Sequence, residues 1–90
     1  MKQVKIRVSG KVQGVSFRYY TCQQALKLNL QGYVKNLNNG DVEIVASGDH
    51  RQVTQLIEWA RSGSPAAKVN NIEVSTVQNP EKYNNFTIRY

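Results

Sequence analysis

The sequence predicts an α+β sandwich over residues 1–90, in which two helices cover one face of a largely antiparallel sheet. Three observations lead there. Some stretches repeat their apolar residues with a period of two, and two others with a period of three to four. The stretches follow one another as strand, helix, strand, strand, helix, strand, and an Asn-Asn-Gly turn joins the middle pair. A chain of 90 residues supports one two-layer core and hence one domain.

Each element has its own signal. Val4, Ile6 and Val8 alternate with Gln3, Lys5, Arg7 and Ser9, which makes a half-buried strand ending at Gly10. From residue 18 to about 28, Tyr19, Cys22, Ala25 and Leu26 recur at spacings of three and four and form a helical stripe. Asn29 follows and is expected to take a positive φ, because asparagine tolerates the left-handed conformation that closes many helices. Residues 32–37 read as a second strand, Asn38-Asn39-Gly40 as a tight turn, and residues 41–48 as the returning strand with Val42, Ile44 and Ala46 on one side. Asp49 is the expected N-cap of the second helix with Gln52 as its capping-box partner; Val53, Leu56, Ile57 and Ala60 form the buried stripe. Ser62-Gly63-Ser64-Pro65 stops that helix. Residues 69–77 form a fourth strand and 85–90 a short fifth at the C-terminus. The order βαββαβ, with both helices on one face, is the ferredoxin-like arrangement.

Composition narrows the function. Twelve Lys and Arg against six Asp and Glu give a net charge of +6, which favours anionic partners. No apolar run is long enough to cross a bilayer, and the N-terminal segment lacks the apolar core of a signal peptide, so a cytoplasmic protein without a membrane partner is expected. Cys22 is the only cysteine and His50 the only histidine, which leaves neither a disulfide nor a set of metal ligands; no metal and no cofactor are expected. Nothing in the chain demands more than a monomer.

A right-handed crossover leaves the first two strands parallel, so their C-terminal ends emerge at one edge of the sheet. Two segments meet there: the loop in "GKVQGVSFR", residues 10–18, and Asn36 at the end of "GYVKN". With the third strand between them they stand roughly 10 Å apart. Gly10 and Gly14 allow backbone N–H groups to turn inward where the first helix presents its positive end. Arg18 in the first turn is unfavourable beside that end unless something negative sits there. From the spacing alone, a plain strand-to-helix turn with a solvated arginine serves equally well, and Asn36 serves as a turn residue. The stretch is neither a Walker loop nor a dinucleotide fingerprint.

Taken together, "GKVQGVSFR" and "GYVKNLNNGDVEIVASG", with "GSP" at 63–65 and the closing "NFTIRY", resemble the acylphosphatase family over nearly the whole chain. The resemblance implies a ferredoxin-like fold and hydrolysis of the carboxyl-phosphate bond of acyl phosphates without a metal. It implies that Arg18 binds the substrate phosphate, that Asn36 orients the attacking water, and that the backbone of Gln13, Gly14, Val15, Ser16, Phe17 and Arg18 forms the phosphate cradle. Inorganic phosphate or sulfate would then compete with the substrate. Ser16 stands where relatives commonly have glycine or cysteine, and Asn29 where many have glycine. In the family the C-terminus lies near the arginine, so the Tyr90 carboxylate is a candidate for orienting Arg18. The chemistry is consistent: a carboxylate leaving group whose acid has a pKa of about 4 to 5 needs no general acid at neutral pH.

Two other functions fit the same fold. RNA-binding modules stack bases on aromatics of the central strands, whereas the outward residues here are Gln3, Lys5, Arg7, Ser9, Asp41, Glu43 and Val45. No specific nucleic-acid partner is therefore expected. A non-catalytic interaction module would not need both Arg18 and Asn36. Cys22 reads as a small core residue, His50 as exposed, and Trp59 as packing on the sheet or its rim.

Overall fold

The computed structural model describes all 90 residues. Its elements are β1 (Lys2–Lys11), α1 (Phe17–Lys27), β2 (Gln31–Asn36), β3 (Val42–Gly48), α2 (His50–Ala60), β4 (Lys68–Thr76) and β5 (Phe86–Arg89). They form one sheet in the order β4-β1-β3-β2-β5. β3 pairs antiparallel with β1 on one side and β2 on the other, and β4 pairs antiparallel with β1. Only β5 runs parallel to its neighbour, β2. The ferredoxin-like α+β arrangement is the one expected.

This topology positions the site. β1 and β2 are both antiparallel to β3 and hence parallel to each other. Val42 of β3 is the register partner of Val8 on one side and of Asn36 on the other. Asn36 therefore lies level with the end of β1, two strand spacings or about 10 Å across the sheet.

The period-two alternation turns Val4, Ile6, Val8, Val34, Val42, Ile44 and Ala46 to the helix-covered face, where each is at most 1 % exposed. Phe17, Ala25, Val53, Leu56 and Ala60 complete the core from the helices. Each large apolar side chain buried this fully contributes about 1.5–3 kcal/mol of transfer free energy. Asn36 follows Val34 by two residues and so shares this inner face, beside the start of α1.

α2 follows its sequence closely. Asp49 Oδ1 accepts the Arg51 N–H at 3.0 Å, while Gln52 returns no bond, so the cap is one-sided. Val53, Leu56 and Ala60 are buried and Ile57 is half-buried. α1 differs from expectation. Its buried residues are Phe17, Thr21 and Ala25, whereas Tyr19 and Leu26 are 54 % and 49 % exposed. The cause is local: the Thr21 hydroxyl donates to the Phe17 carbonyl at 2.8 Å, so a polar side chain enters the core already satisfied. Asn29 takes φ 57°, as its position after the helix requires.

The face without helices is partly roofed by residues 77–85. Gln3 Nε2 donates to the Glu81 carbonyl at 2.7 Å, and the rings of Tyr33 and Tyr83 meet edge to face at 6.0 Å. Beneath this segment Gln3, Tyr33 and Val45 are buried. Burial and a hydrogen bond donated to Glu43 push the Tyr33 hydroxyl well above the ordinary tyrosine range.

Candidate active site

Gly10, the second-last residue of β1, prepares the turn into the loop that leads to α1. At φ 126° a β-carbon would collide with the Lys68 carbonyl oxygen, so only glycine fits where the β1–β4 register shifts. Gly14 and Ser16 follow with φ 73° and 60°. Ser16 is the N-cap of α1, yet its hydroxyl makes no cap bond, and a non-glycine residue in this conformation costs roughly 1 kcal/mol. At this position serine thus carries a backbone cost that glycine would not.

Two features hold the loop in place. The buried Phe17 ring, 5.6 Å from the ring of Trp59, anchors its C-terminal end to α2. Trp59 thus packs against Phe17 at the start of α1 as well as against the core. Ser64, 2 % exposed, donates its hydroxyl to the Val15 carbonyl at 2.9 Å. The result is a run of donors: no backbone carbonyl accepts the N–H groups of Gln13, Gly14, Val15, Ser16, Phe17 or Arg18. Together with the positive end of α1 they form a concentrated hydrogen-bonding surface for a negative charge.

Arg18 adds a formal charge to it. The first turn of α1 contains no acidic residue, and none of the molecule's ion pairs includes Arg18. Its Nη1 donates to the Arg89 carbonyl of β5 at 3.3 Å, and its guanidinium lies 4.8 Å from the centre of the Tyr90 ring. The C-terminal residues contact Arg18 through a main-chain carbonyl and an aromatic face, and the Tyr90 carboxylate, the candidate that the resemblance offered, forms no ion pair with it.

Asn36 faces the same cleft, a cavity of about 420 Å³ whose lining also includes Gly14, Ser16, Arg18, Tyr19, Ile88 and Tyr90. Its Oδ1 is the molecule's only buried side-chain polar atom without a hydrogen-bond partner. Buried polar groups are paired in the great majority of cases, and an orphan costs about 1–3 kcal/mol. The turn that follows is well made: Asn39 Oδ1 accepts the Asp41 N–H at 3.0 Å, and the Leu37 N–H donates to the Asp41 carbonyl at 2.8 Å. The Gln13 side chain reaches this turn, Nε2 donating to the carbonyls of Leu37 and Asp41 at 2.8 and 2.9 Å.

Other reactive groups lie elsewhere. Cys22 is half-buried on α1, its thiol pushed up by burial and directed to the Phe86 carbonyl at 3.8 Å. His50 is exposed at the start of α2. No cluster of three or more His, Cys, Asp or Glu side chains is arranged to hold a metal ion.

Fold and cleft together define a small α+β sandwich whose donor-rich, cationic cleft lies at the shared edge of two parallel strand ends. A family model described as acylphosphatase matches residues 4–88. The acylphosphatase of Shewanella amazonensis is 47 % identical over 98 % of this chain and 97 % of its own length, and that of Thermotoga maritima is 46 % identical over 100 % and 99 %. The crystal structure of acylphosphatase from Bacillus subtilis superposes with a TM-score of 0.96 at 41 % identity, covering the whole of both chains. The chain belongs to the acylphosphatase family, hydrolases acting on acyl phosphates.

Proposed function

We propose that the hydrolysis is carried out by Arg18, Asn36 and the backbone of residues 13–18. The observation that carries this reading is the unpaired, buried Asn36 carboxamide oxygen in the same cleft as Arg18. In this mechanism the N–H groups of Gln13, Gly14, Val15, Ser16, Phe17 and Arg18, with the Arg18 guanidinium, hold the phosphoryl oxygens. Asn36 holds a water in line with phosphorus. A new bond forms from the water oxygen to phosphorus as the phosphorus–oxygen bond to the acyl group breaks, and the bonding pair leaves on the carboxylate. A neutral amide is no strong base, so the water proton passes to a phosphoryl oxygen. A loose phosphoryl-transfer transition state asks for positioning and charge stabilisation, and both are provided by fixed donors.

In the same reading the 90 residues act as one domain and as a monomer in the cytoplasm, without a metal. The good leaving group removes the need for Lewis-acid assistance. RNA binding has the +6 charge behind it but no platform: Tyr33 and Tyr83 on the helix-free face are engaged with each other. A substrate panel tests the assignment. Acetyl phosphate and benzoyl phosphate should be cleaved while a phosphate monoester is not, turnover should be unchanged by a chelator, and inorganic phosphate or sulfate should compete. Loss of activity on chelation, or the absence of competition by phosphate, would overturn it.

A further inference from the structure

The two halves of the site lie on different segments, and no backbone hydrogen bond joins the loop at residues 12–16 to the turn at residues 37–41. Their one polar link is the Gln13 side chain. Its amide donates at 2.8 Å to the carbonyl of Leu37, the residue next to Asn36, and at 2.9 Å to the carbonyl of Asp41 across the turn. Leu37 and Asp41 are already joined by their own backbone bond of 2.8 Å. One carboxamide thereby fastens the loop to both ends of a closed turn.

We infer that Gln13 is a positioning residue: its side chain fixes the distance between the phosphate-holding loop and the water-holding Asn36. The inference rests on the function proposed above and adds a role for a side chain that the cradle uses only through its backbone. Asn36 cannot move without Leu37, and Leu37 is tied to Gln13. In-line attack needs the water oxygen about 3–3.5 Å from phosphorus, and an error of about 1 Å in such a distance can cost about 10²-fold in rate. Gln13 lies outside the hydrophobic core, so altering its side chain changes this link far more than the fold.

The test uses two variants of the whole chain. Gln13→Ala removes the side chain; Gln13→Glu keeps its length but presents only acceptors to two carbonyl oxygens. In both, kcat for acetyl phosphate is expected to fall about tenfold while inhibition by inorganic phosphate changes less than about twofold. Added to Asn36→Ala, either change should cost nothing further. Without any substrate, nitrogen-15 relaxation of the Asn36 side-chain amide should show added mobility in both single variants. Normal kcat in the folded variants, phosphate affinity lost in parallel with kcat, or losses that multiply in the double variant would each refute the role. Should the unaltered protein hydrolyse no acyl phosphate, the proposed function fails instead. The relaxation measurement then decides alone: an Asn36 amide as rigid in the variants as before overturns the link, and a loosened one supports it.

Discussion

Arg18→Ala is expected to lower kcat/KM for acetyl phosphate by about 10³-fold or more and to abolish inhibition by inorganic phosphate. Removing a single neutral donor from a preorganised site costs about 10²–10³ in rate, and Arg18 contributes a full charge as well as donors. Its effect appears in both binding and turnover, because the phosphoryl group is anionic before and during the reaction. Arg18→Lys should recover only a small part of this, since a point charge on a flexible stem does not reproduce a planar guanidinium held by the Arg89 carbonyl and the Tyr90 ring. Stability should change little, because the substitution removes only one long hydrogen bond at an exposed position and one cation–π interaction. Steady-state kinetics with phosphate inhibition, beside a urea titration, reads all three quantities. A folded Arg18→Ala protein with near-normal kcat/KM would remove the arginine from the reaction.

Asn36→Ala is expected to behave differently. Its kcat should fall by about 10²-fold, the scale of one preorganised hydrogen-bonding group, while phosphate inhibition stays nearly unchanged because the cradle and Arg18 remain. The folded state should be no less stable than before, because the deleted carboxamide carries a buried oxygen with no partner. Activity thus falls at this position without any fall in stability, as it does where a polar group is kept for chemistry. The urea midpoint and kcat of one purified variant test both halves. A less stable protein with normal kcat would mark Asn36 as a turn residue.

The residues most legible in the sequence are those whose signals are local. Period-two runs specify β1 and β3, the Asn-Asn-Gly turn specifies the hairpin, and the left-handed preference of asparagine specifies the φ of Asn29. The crossover rule then brings the ends of β1 and β2 to one edge, which is why Asn36 and the loop can be joined without knowledge of the fold's details. Where the sequence misleads, a satisfied polar group or a distant partner is the reason. Thr21 looks like a surface residue because its bond to the Phe17 carbonyl is invisible in a hydropathy pattern. Phe17 reads as part of the loop, which puts the expected stripe of α1 on Tyr19 and Leu26. The bonds of Ser64 to Val15, of Gln13 to Leu37, and of Arg18 to Arg89 span 49, 24 and 71 residues. Nothing in local spacing encodes such pairs; they follow from the topology once the sheet is assembled. The parallel pairing of β5 with β2, which brings Arg89 and Tyr90 to the cleft, belongs with them.

The central claim is that a water held by Asn36 attacks phosphorus, not the acyl carbon. Hydrolysis of acetyl phosphate by the unaltered protein in water enriched in heavy oxygen, followed by mass spectrometry of both products, tests it most directly. Attack at phosphorus places the heavy atom in inorganic phosphate and leaves acetate unlabelled. Heavy oxygen in the acetate would mean that the carbonyl carbon is attacked, and the roles given to Arg18, Asn36 and the loop between them would have to be abandoned.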